Sequence, residues 1–127
     1  MRSYNVAITS LAISAPTRWT DNLLSQYRLP DVISAHRGVA RRISYPALIR
    51  LAIIRQLHIR LGLGVGDAIR IANELLDSEG NSVYESGHIR LSVDRPGLER
   101  SLNARLAEVL ESAPSPRRGR PPKGAAT

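Results

Sequence analysis

Residues 6–27 read VAITSLAISAPTRWTDNLLSQY, and this stretch decides the fold. Residues 6–14 are short and apolar, and their pattern is compatible with either a buried helix or a strand. Residues 17–27 have large apolar side chains at helical spacing, namely Trp19, Leu23, Leu24 and Tyr27. Between the two segments, Ser14 is a candidate helix N-cap and Pro16 suits a first helical turn. The stretch therefore predicts a helix-turn-helix, two short helices joined by a tight connection.

Residues 28–45 follow this motif and show no helical periodicity. They contain Pro30 and Gly38, and apolar residues alternate around Val39, Ile43 and Tyr45. This alternation predicts a short hairpin or an extended loop. The segment also carries three arginines, Arg37, Arg41 and Arg42. We interpret it as the wing of a winged helix-turn-helix.

Two longer helices are predicted after the wing. Ser44 and Pro46 mark the start of the first, and Gly62 marks its end. A wide apolar stripe lies between them, as expected for a helix that faces a core. The stripe comprises Leu48, Leu51, Ala52, either Ile54 or Ile53, Leu57 and Leu61. A further helix is predicted over residues 65–76.

The C-terminal part is predicted to form a hairpin, one more helix and a tail. Residues 82–84 and 88–93 flank a turn, and alternation of Ile89, Leu91 and Val93 with polar residues predicts a strand with one buried face. Asp94 and Pro96 start the last helix, whose apolar residues recur at steps of three and four, namely Leu98, Leu102, Leu106, Val109 and Leu110. The predicted fold class is mainly α with a small β-hairpin, of the winged helix-turn-helix type.

These elements divide the chain into three predicted parts. Residues 1–78 form the winged helix-turn-helix domain. Residues 79–112 form a hairpin and helix that pack on the core or on a second copy, because a lone two-stranded hairpin is only marginally stable. Residues 113–127 are rich in Pro, Gly, Arg and Ala and are predicted to be a disordered basic tail.

Charge is segregated along the chain. The formal net charge is +7. Residues 1–60 carry nine Arg against two acids, residues 61–113 five Arg against nine acids, and residues 114–127 four basic residues and no acid. This distribution points to a polyanion bound by the first half and the tail. The alternative is that the charged residues only keep the surface solvated. This would explain the amount of charge, but less readily its segregation along the chain.

Double-stranded DNA is the polyanion that the predicted fold favours. In winged helix-turn-helix proteins the second short helix enters the major groove, where side chains reach base edges. Arginine can pair with guanine, and asparagine or glutamine with adenine. The candidate contacts on this helix are Arg18, Thr20, Asn22 and Gln26. Trp19 is instead predicted to anchor the helix in the core, because it is in phase with Leu23 and Tyr27.

The run RRISYPALIRLAIIRQL, residues 41–57, resembles the wing and following helix of MerR-like DNA-binding domains. The resemblance covers roughly residues 6–76 and implies a dimeric winged domain that kinks or tracks DNA. It also implies wing contacts to phosphate from Arg37, Arg41, Arg42 and Tyr45. The chain departs from the family in lacking its aromatic-rich second helix, its long dimerising coiled coil and a cysteine for metal sensing. Effector sensing is therefore not carried over.

The tail sequence PRRGRPPK, residues 116–123, resembles an AT-hook, whose core is Arg-Gly-Arg-Pro. Glycine lets the backbone approach the floor of a narrow minor groove, and the arginines extend along the strong negative potential of A·T tracts. The implied contacts are Arg117, Arg118, Gly119, Arg120, Pro121 and Lys123. A generic basic tail that binds any phosphate is the alternative, and it also favours nucleic acid.

Other functions have little support in the sequence. The three histidines show no metal-ligand spacing, the chain has no Cys, and the acids are scattered, so we expect neither an enzyme nor a cofactor. We expect no membrane span and a cytoplasmic, nucleoid-associated location. The expected protein is a homodimeric transcriptional regulator or nucleoid-associated factor with a preference for A·T-rich duplexes. The alternative is a protein-interaction module, such as an antitoxin or phage adaptor, whose residues 79–112 hold a protein partner. RNA binding is a weaker option, because aromatic stacking residues are few.

Overall fold

The structure, a computed structural model, describes residues 2–33, 40–77 and 82–112. Helices dominate this part of the chain: α1 (Val6–Ala12), α2 (Thr17–Gln26), α3 (Tyr45–Leu61), α4 (Val65–Asp77) and α5 (Arg95–Ser112). The strands are short: β1 (Ser3–Tyr4), β2 (Val32–Ile33), β3 (Arg42–Ser44), β4 (Val83–Ser86) and β5 (Ile89–Ser92). The prediction of a mainly helical protein with small antiparallel sheets is confirmed.

The apolar segment that the sequence left open between helix and strand is the helix α1. Its N-terminus is capped by Asn5, whose Oδ1 accepts a hydrogen bond from the Ile8 N–H at 2.8 Å. After α1 the chain turns through Ser14, which adopts a left-handed φ of 59°. Pro16 occupies the N-cap position of α2 without a side-chain hydrogen bond. Ser14 is therefore a turn residue and not the N-cap that the sequence suggested, because it lies two residues before that position.

Strand β3 is the centre of the sheet formed by β1, β3 and β2. It pairs antiparallel with β1, where Tyr4 lies opposite Ile43, and with β2, where Val32 lies opposite the same residue. Ile43 is fully buried. The pairing of β2 with β3 agrees with the predicted hairpin, whose residues 34–39 lie outside the described residues. Strand β1 was not predicted, because two residues carry no periodic signal.

Helix α3 runs through the core. Its predicted ends are confirmed: the Ser44 Oγ accepts from the Ala47 N–H at 3.3 Å, and Gly62 closes the helix with a left-handed φ of 70°. The helix is buried on several sides, through Ala47, Leu48, Ile49, Leu51, Ala52, Ile53, Ile54 and Leu57. Leu61, predicted as part of the apolar stripe, is 54% exposed because it lies at the last position of α3, before the chain leaves the core.

Strands β4 and β5 form the predicted C-terminal hairpin, which lies against α4 through β4. An Arg70 Nη1 on α4 donates to the Tyr84 hydroxyl at 3.3 Å. The prediction of one buried face is wrong for Ile89, which is 64% exposed. Ile89 pairs with Ser86 next to the turn, at the end of the hairpin farthest from the half-buried Val93.

Helix α5 packs on α1 and contributes Leu102 and Leu106 to the same buried cluster as the first four helices. The two helices also meet where the Arg105 Nε donates to the Leu11 carbonyl oxygen at 3.5 Å. The described helices therefore share one core. None of them, within the residues that the structure describes, is long and apolar enough to cross a membrane.

Candidate nucleic-acid interface

Helix α2 has one face in the core and one face in solvent. Thr20, Leu23 and Leu24 are buried, and Trp19 and Tyr27 are half-buried. The remaining positions between Thr17 and Gln26 are exposed. The sequence therefore divides the helix by its period of 3.6 residues, as an amphipathic helix on a core requires.

Thr20 lies on the buried face of α2 and not on the exposed face where it was predicted. It is 0% exposed, and its Oγ1 accepts a hydrogen bond from the Ser10 hydroxyl of α1 at 2.8 Å. This bond joins the two helices of the motif. The polar side chain of Thr20 suggested an exposed position, whereas in the fold it is buried and accepts the hydrogen bond of the buried Ser10 hydroxyl.

The other three predicted residues form a stripe along the exposed side of α2. Arg18, Asn22 and Gln26 are spaced by four residues, so their side chains lie one above the next on the helix surface. All three are exposed, and none of their side chains makes a hydrogen bond or ion pair with the residues that the structure describes. We call these three residues the reading stripe. Its guanidinium and amide groups keep their hydrogen-bonding capacity for a ligand.

Asp21 and Ser25 form a second exposed row on α2, and the side chain of Arg41 contacts both of them. The Arg41 Nη1 lies 2.6 Å from Asp21 Oδ1, and its Nη2 donates to the Ser25 hydroxyl at 3.1 Å. The Arg41 side chain is 20% exposed and that of Asp21 is 55% exposed. Arg41, predicted as a wing contact to phosphate, is therefore directed at α2, because a carboxylate and a hydroxyl on that helix attract its donors.

A groove of about 660 Å³ lies between the end of α2 and the sheet. It is lined by Leu24, Ser25, Gln26, Tyr27, Arg28, Leu29, Val32 and Arg41, which include two arginines and no acid. Arg28 is exposed and makes no ion pair with a described residue. The sequence prediction omitted Arg28 because it falls just after the periodic segment, although its place directly after α2 was a usable signal.

The remaining wing residues have separate environments. Arg42 stays exposed, and its guanidinium donates to the Ser3 Oγ at 3.0 Å and to the Ser3 carbonyl oxygen at 3.1 Å. Arg37 lies outside the described residues, as do the tail residues Arg117, Arg118, Gly119, Arg120, Pro121 and Lys123.

Tyr45, predicted as a possible phosphate contact, is engaged by α5. Its hydroxyl donates to Asn103 Oδ1 at 2.9 Å and lies 3.5 Å from Glu99 Oε1. Burial and the nearby Glu99 carboxylate raise the pKa of Tyr45 above its ordinary value. The hydroxyl therefore links the start of α3 to α5, a contact between residues more than fifty positions apart that no local pattern reveals.

Trp19 packs between α2 and α3, in agreement with its predicted anchoring role. The Arg55 guanidinium lies 4.8 Å from the centre of the indole ring. The His58 ring stacks on the indole at 5.9 Å with an angle of 29° between planes, and its Nδ1 lies 2.7 Å from the Leu63 carbonyl oxygen. These contacts fix α2 on α3 and hold the reading stripe on the outside.

Among the described residues, no group of three or more His, Asp or Glu side chains is placed to hold a metal ion. Comparison with models of known protein families, with curated proteins and with solved structures finds no match to this chain.

Proposed function

We propose that this protein binds double-stranded DNA through a winged helix-turn-helix of the MerR-like type, formed by α1, α2 and the β2–β3 hairpin. The observation that carries the proposal is the reading stripe, Arg18, Asn22 and Gln26, which the fold holds in solvent without internal partners. The proposed role is that of a transcriptional regulator or nucleoid-associated factor, a binding protein and not an enzyme.

The chemistry of the stripe supports base reading. An arginine can form two hydrogen bonds with guanine, and asparagine or glutamine can do so with adenine. Helix α2 has ten residues, which gives a length of about 15 Å at 1.5 Å per residue. The major groove is about 12 Å wide and admits one α-helix, whose diameter with side chains is about 10–12 Å. The half-buried Trp19 holds α2 against α3 through its contacts with Arg55 and His58.

The electrostatics support binding to the backbone as well. Arg28 is one of the residues that line the groove beside α2, and these lining residues include no acid. A DNA phosphate in this groove would meet a guanidinium, and neutralising phosphates releases counterions and drives association. We propose Arg28 as a phosphate contact, together with Arg42 at the neighbouring strand.

The tail adds a second proposed contact. Residues 116–123 carry the AT-hook-like sequence, and the tail follows directly after α5. A tethered second site raises the apparent affinity because its binding is intramolecular. We propose that the tail enters the minor groove of A·T-rich DNA, and that two copies of the chain bind two half-sites as a homodimer.

The test is duplex binding by the full chain and by a chain lacking residues 114–127, at low and at moderate salt. The proposal expects affinity to fall steeply with salt, and an A·T-rich duplex to be preferred over a G·C-rich one. Deleting the tail should remove most of that preference, while the shortened chain still binds duplex DNA through α2. Equal binding to both duplexes by both chains would reject the hook, and no binding to either duplex would reject the whole proposal.

A protein-interaction module is the second candidate, and exposed apolar residues in the C-terminal part favour it. Ile89 is 64% exposed and Leu110 is 39% exposed, whereas Leu102 and Leu106 are buried within the chain itself. An antitoxin or phage adaptor would use exposed apolar residues of this kind to hold its partner. Sedimentation of the wild type beside Ile89→Lys distinguishes self-association through Ile89 from a monomer that is unaffected by the change.

A further inference from the structure

We propose that Arg41 is a positioning residue that cancels the charge of Asp21, and that it does not itself contact DNA. The inference rests on the proposed DNA-binding function and deepens it. It assigns separate roles to the two exposed rows of α2: the reading stripe meets the bases, and the row of Asp21 and Ser25 is matched by the protein's own arginine.

Asp21 is a problem for a DNA-binding helix. It lies three residues from Arg18, so its carboxylate is on the same exposed side of α2 as the reading stripe. An unpaired carboxylate there would repel the phosphates that flank the major groove, and like charges brought together across an interface weaken binding strongly. Residues 1–60 contain one other acid, Asp31, so Asp21 is an exception in a basic half.

Arg41 supplies the missing charge with a defined geometry. Its Nη1 is 2.6 Å from the Asp21 carboxylate and its Nη2 bonds to Ser25, one turn further along α2. The two bonds come from different nitrogens, so they fix the orientation of the planar guanidinium. With the Arg41 side chain only 20% exposed, little of it remains for a phosphate.

The pair also joins two elements that must present a common surface. Arg41 precedes β3 by one residue, and Asp21 and Ser25 lie on α2. Helix α2 and the hairpin are therefore linked by an ion pair between residues twenty positions apart in the chain. A surface ion pair contributes little to stability by itself, so its value here lies in the charge of Asp21 that it cancels.

The test is a double-mutant cycle on the full chain with Arg41→Ala, Asp21→Asn and the two combined, measured as affinity for an A·T-rich duplex against salt. We expect Arg41→Ala to bind about tenfold more weakly than wild type, since like-charge juxtaposition at an interface costs on this order or more. The affinity of the combined variant should return to within about threefold of that of wild type, with the same salt dependence. The reason is that the two changes together remove one positive and one negative charge, so the net charge at this site is again that of wild type. Ser25→Ala, which removes a hydrogen bond without changing charge, is the matched control and should bind as wild type does.

Two results would overturn the inference. If Arg41 contacts phosphate, the combined variant will bind more weakly than wild type and its slope of log affinity against log salt will be shallower by about 0.9. If Arg41 acts only by stabilising the fold, the single and combined variants will lose the same affinity, since both lack the ion pair. Thermal melting of each variant identifies the folded fraction. A wild type that binds no duplex would reject the proposed function itself, an outcome that is separate from both of these.

Discussion

The hydroxyl of Ser10 donates a hydrogen bond to the hydroxyl oxygen of Thr20 at 2.8 Å, and both side chains are buried where α1 meets α2. The bond spans ten residues of sequence and crosses the tight connection between the helices. Thr20 therefore helps to hold α2 on α1, whereas Asp21 and Asn22, the next two residues of α2, face solvent.

Replacing Thr20 by valine tests this role. The change keeps the shape of the side chain but leaves the buried Ser10 hydroxyl without its acceptor, which costs about 1–3 kcal/mol of unfolding free energy. The combined change Ser10→Ala and Thr20→Val removes both partners and should recover most of that loss. Urea denaturation measures both. A Thr20→Val protein with unchanged stability and lost DNA binding would instead make Thr20 a base contact.

Removing the Arg18 side chain tests the reading stripe. Arg18→Ala should weaken binding to a preferred duplex by about 1–3 kcal/mol and relax the preference at one base pair, because one two-bond contact is lost. Arg100→Ala on α5 is the control, since it removes the same charge from another exposed arginine. Competition between duplexes of different sequence is the measurement. Equal losses for the two variants would mean that Arg18 contributes only charge.

The sequence predicted much of the local structure. The ends of α3 are set by Ser44 and Gly62, and each acts through bonds to residues within one or two turns. The burial of Thr20 and the pairing of Arg41 with Asp21 were not predictable, because each depends on contacts between residues ten or twenty positions apart. A polar residue on a helix looks the same in sequence whether it faces solvent or a buried hydroxyl.

The contact of Arg55 with Trp19 predicts a measurable contribution to the packing of α2 on α3. Arg55→Ala should lower the unfolding free energy by about 0.5–1 kcal/mol, the range of a partly exposed cation–π contact. It should also shift the emission of Trp19, which is the one tryptophan of the chain. Arg60→Ala, on the exposed side of the same helix, is the control and should leave both quantities close to wild type. A shift of the Trp19 emission in Arg60→Ala as large as that in Arg55→Ala would contradict the assignment of this contact to Arg55.

Tyr45→Phe should destabilise the protein and change how its stability depends on alkaline pH. Loss of the hydrogen bond to Asn103 costs about 1 kcal/mol at neutral pH. Because the pKa of Tyr45 in the folded protein is raised above 10.0, ionisation is harder in the folded than in the unfolded state. This residue's contribution is therefore complete below pH 10.0 and is lost as pH rises through the folded pKa. Urea denaturation at neutral and at alkaline pH should show a shallower alkaline loss for the phenylalanine variant than for wild type.

Shortening the chain tests whether residues 1–78 fold without α5. Leu102 and Leu106 are 3% and 5% exposed in the cluster that includes Ala12 of α1. A chain ending at Asp77 lacks both leucines, and loss of one such side chain alone costs about 2–5 kcal/mol. We expect that chain to melt at much lower temperature and with a broader transition. A chain ending at Ser112 should melt as the full protein does, because every described residue of the buried cluster lies between Tyr4 and Leu106. Thermal unfolding followed by circular dichroism compares the three, and a sharp, unshifted transition in the shortest chain would show that α5 is an accessory to an independent domain.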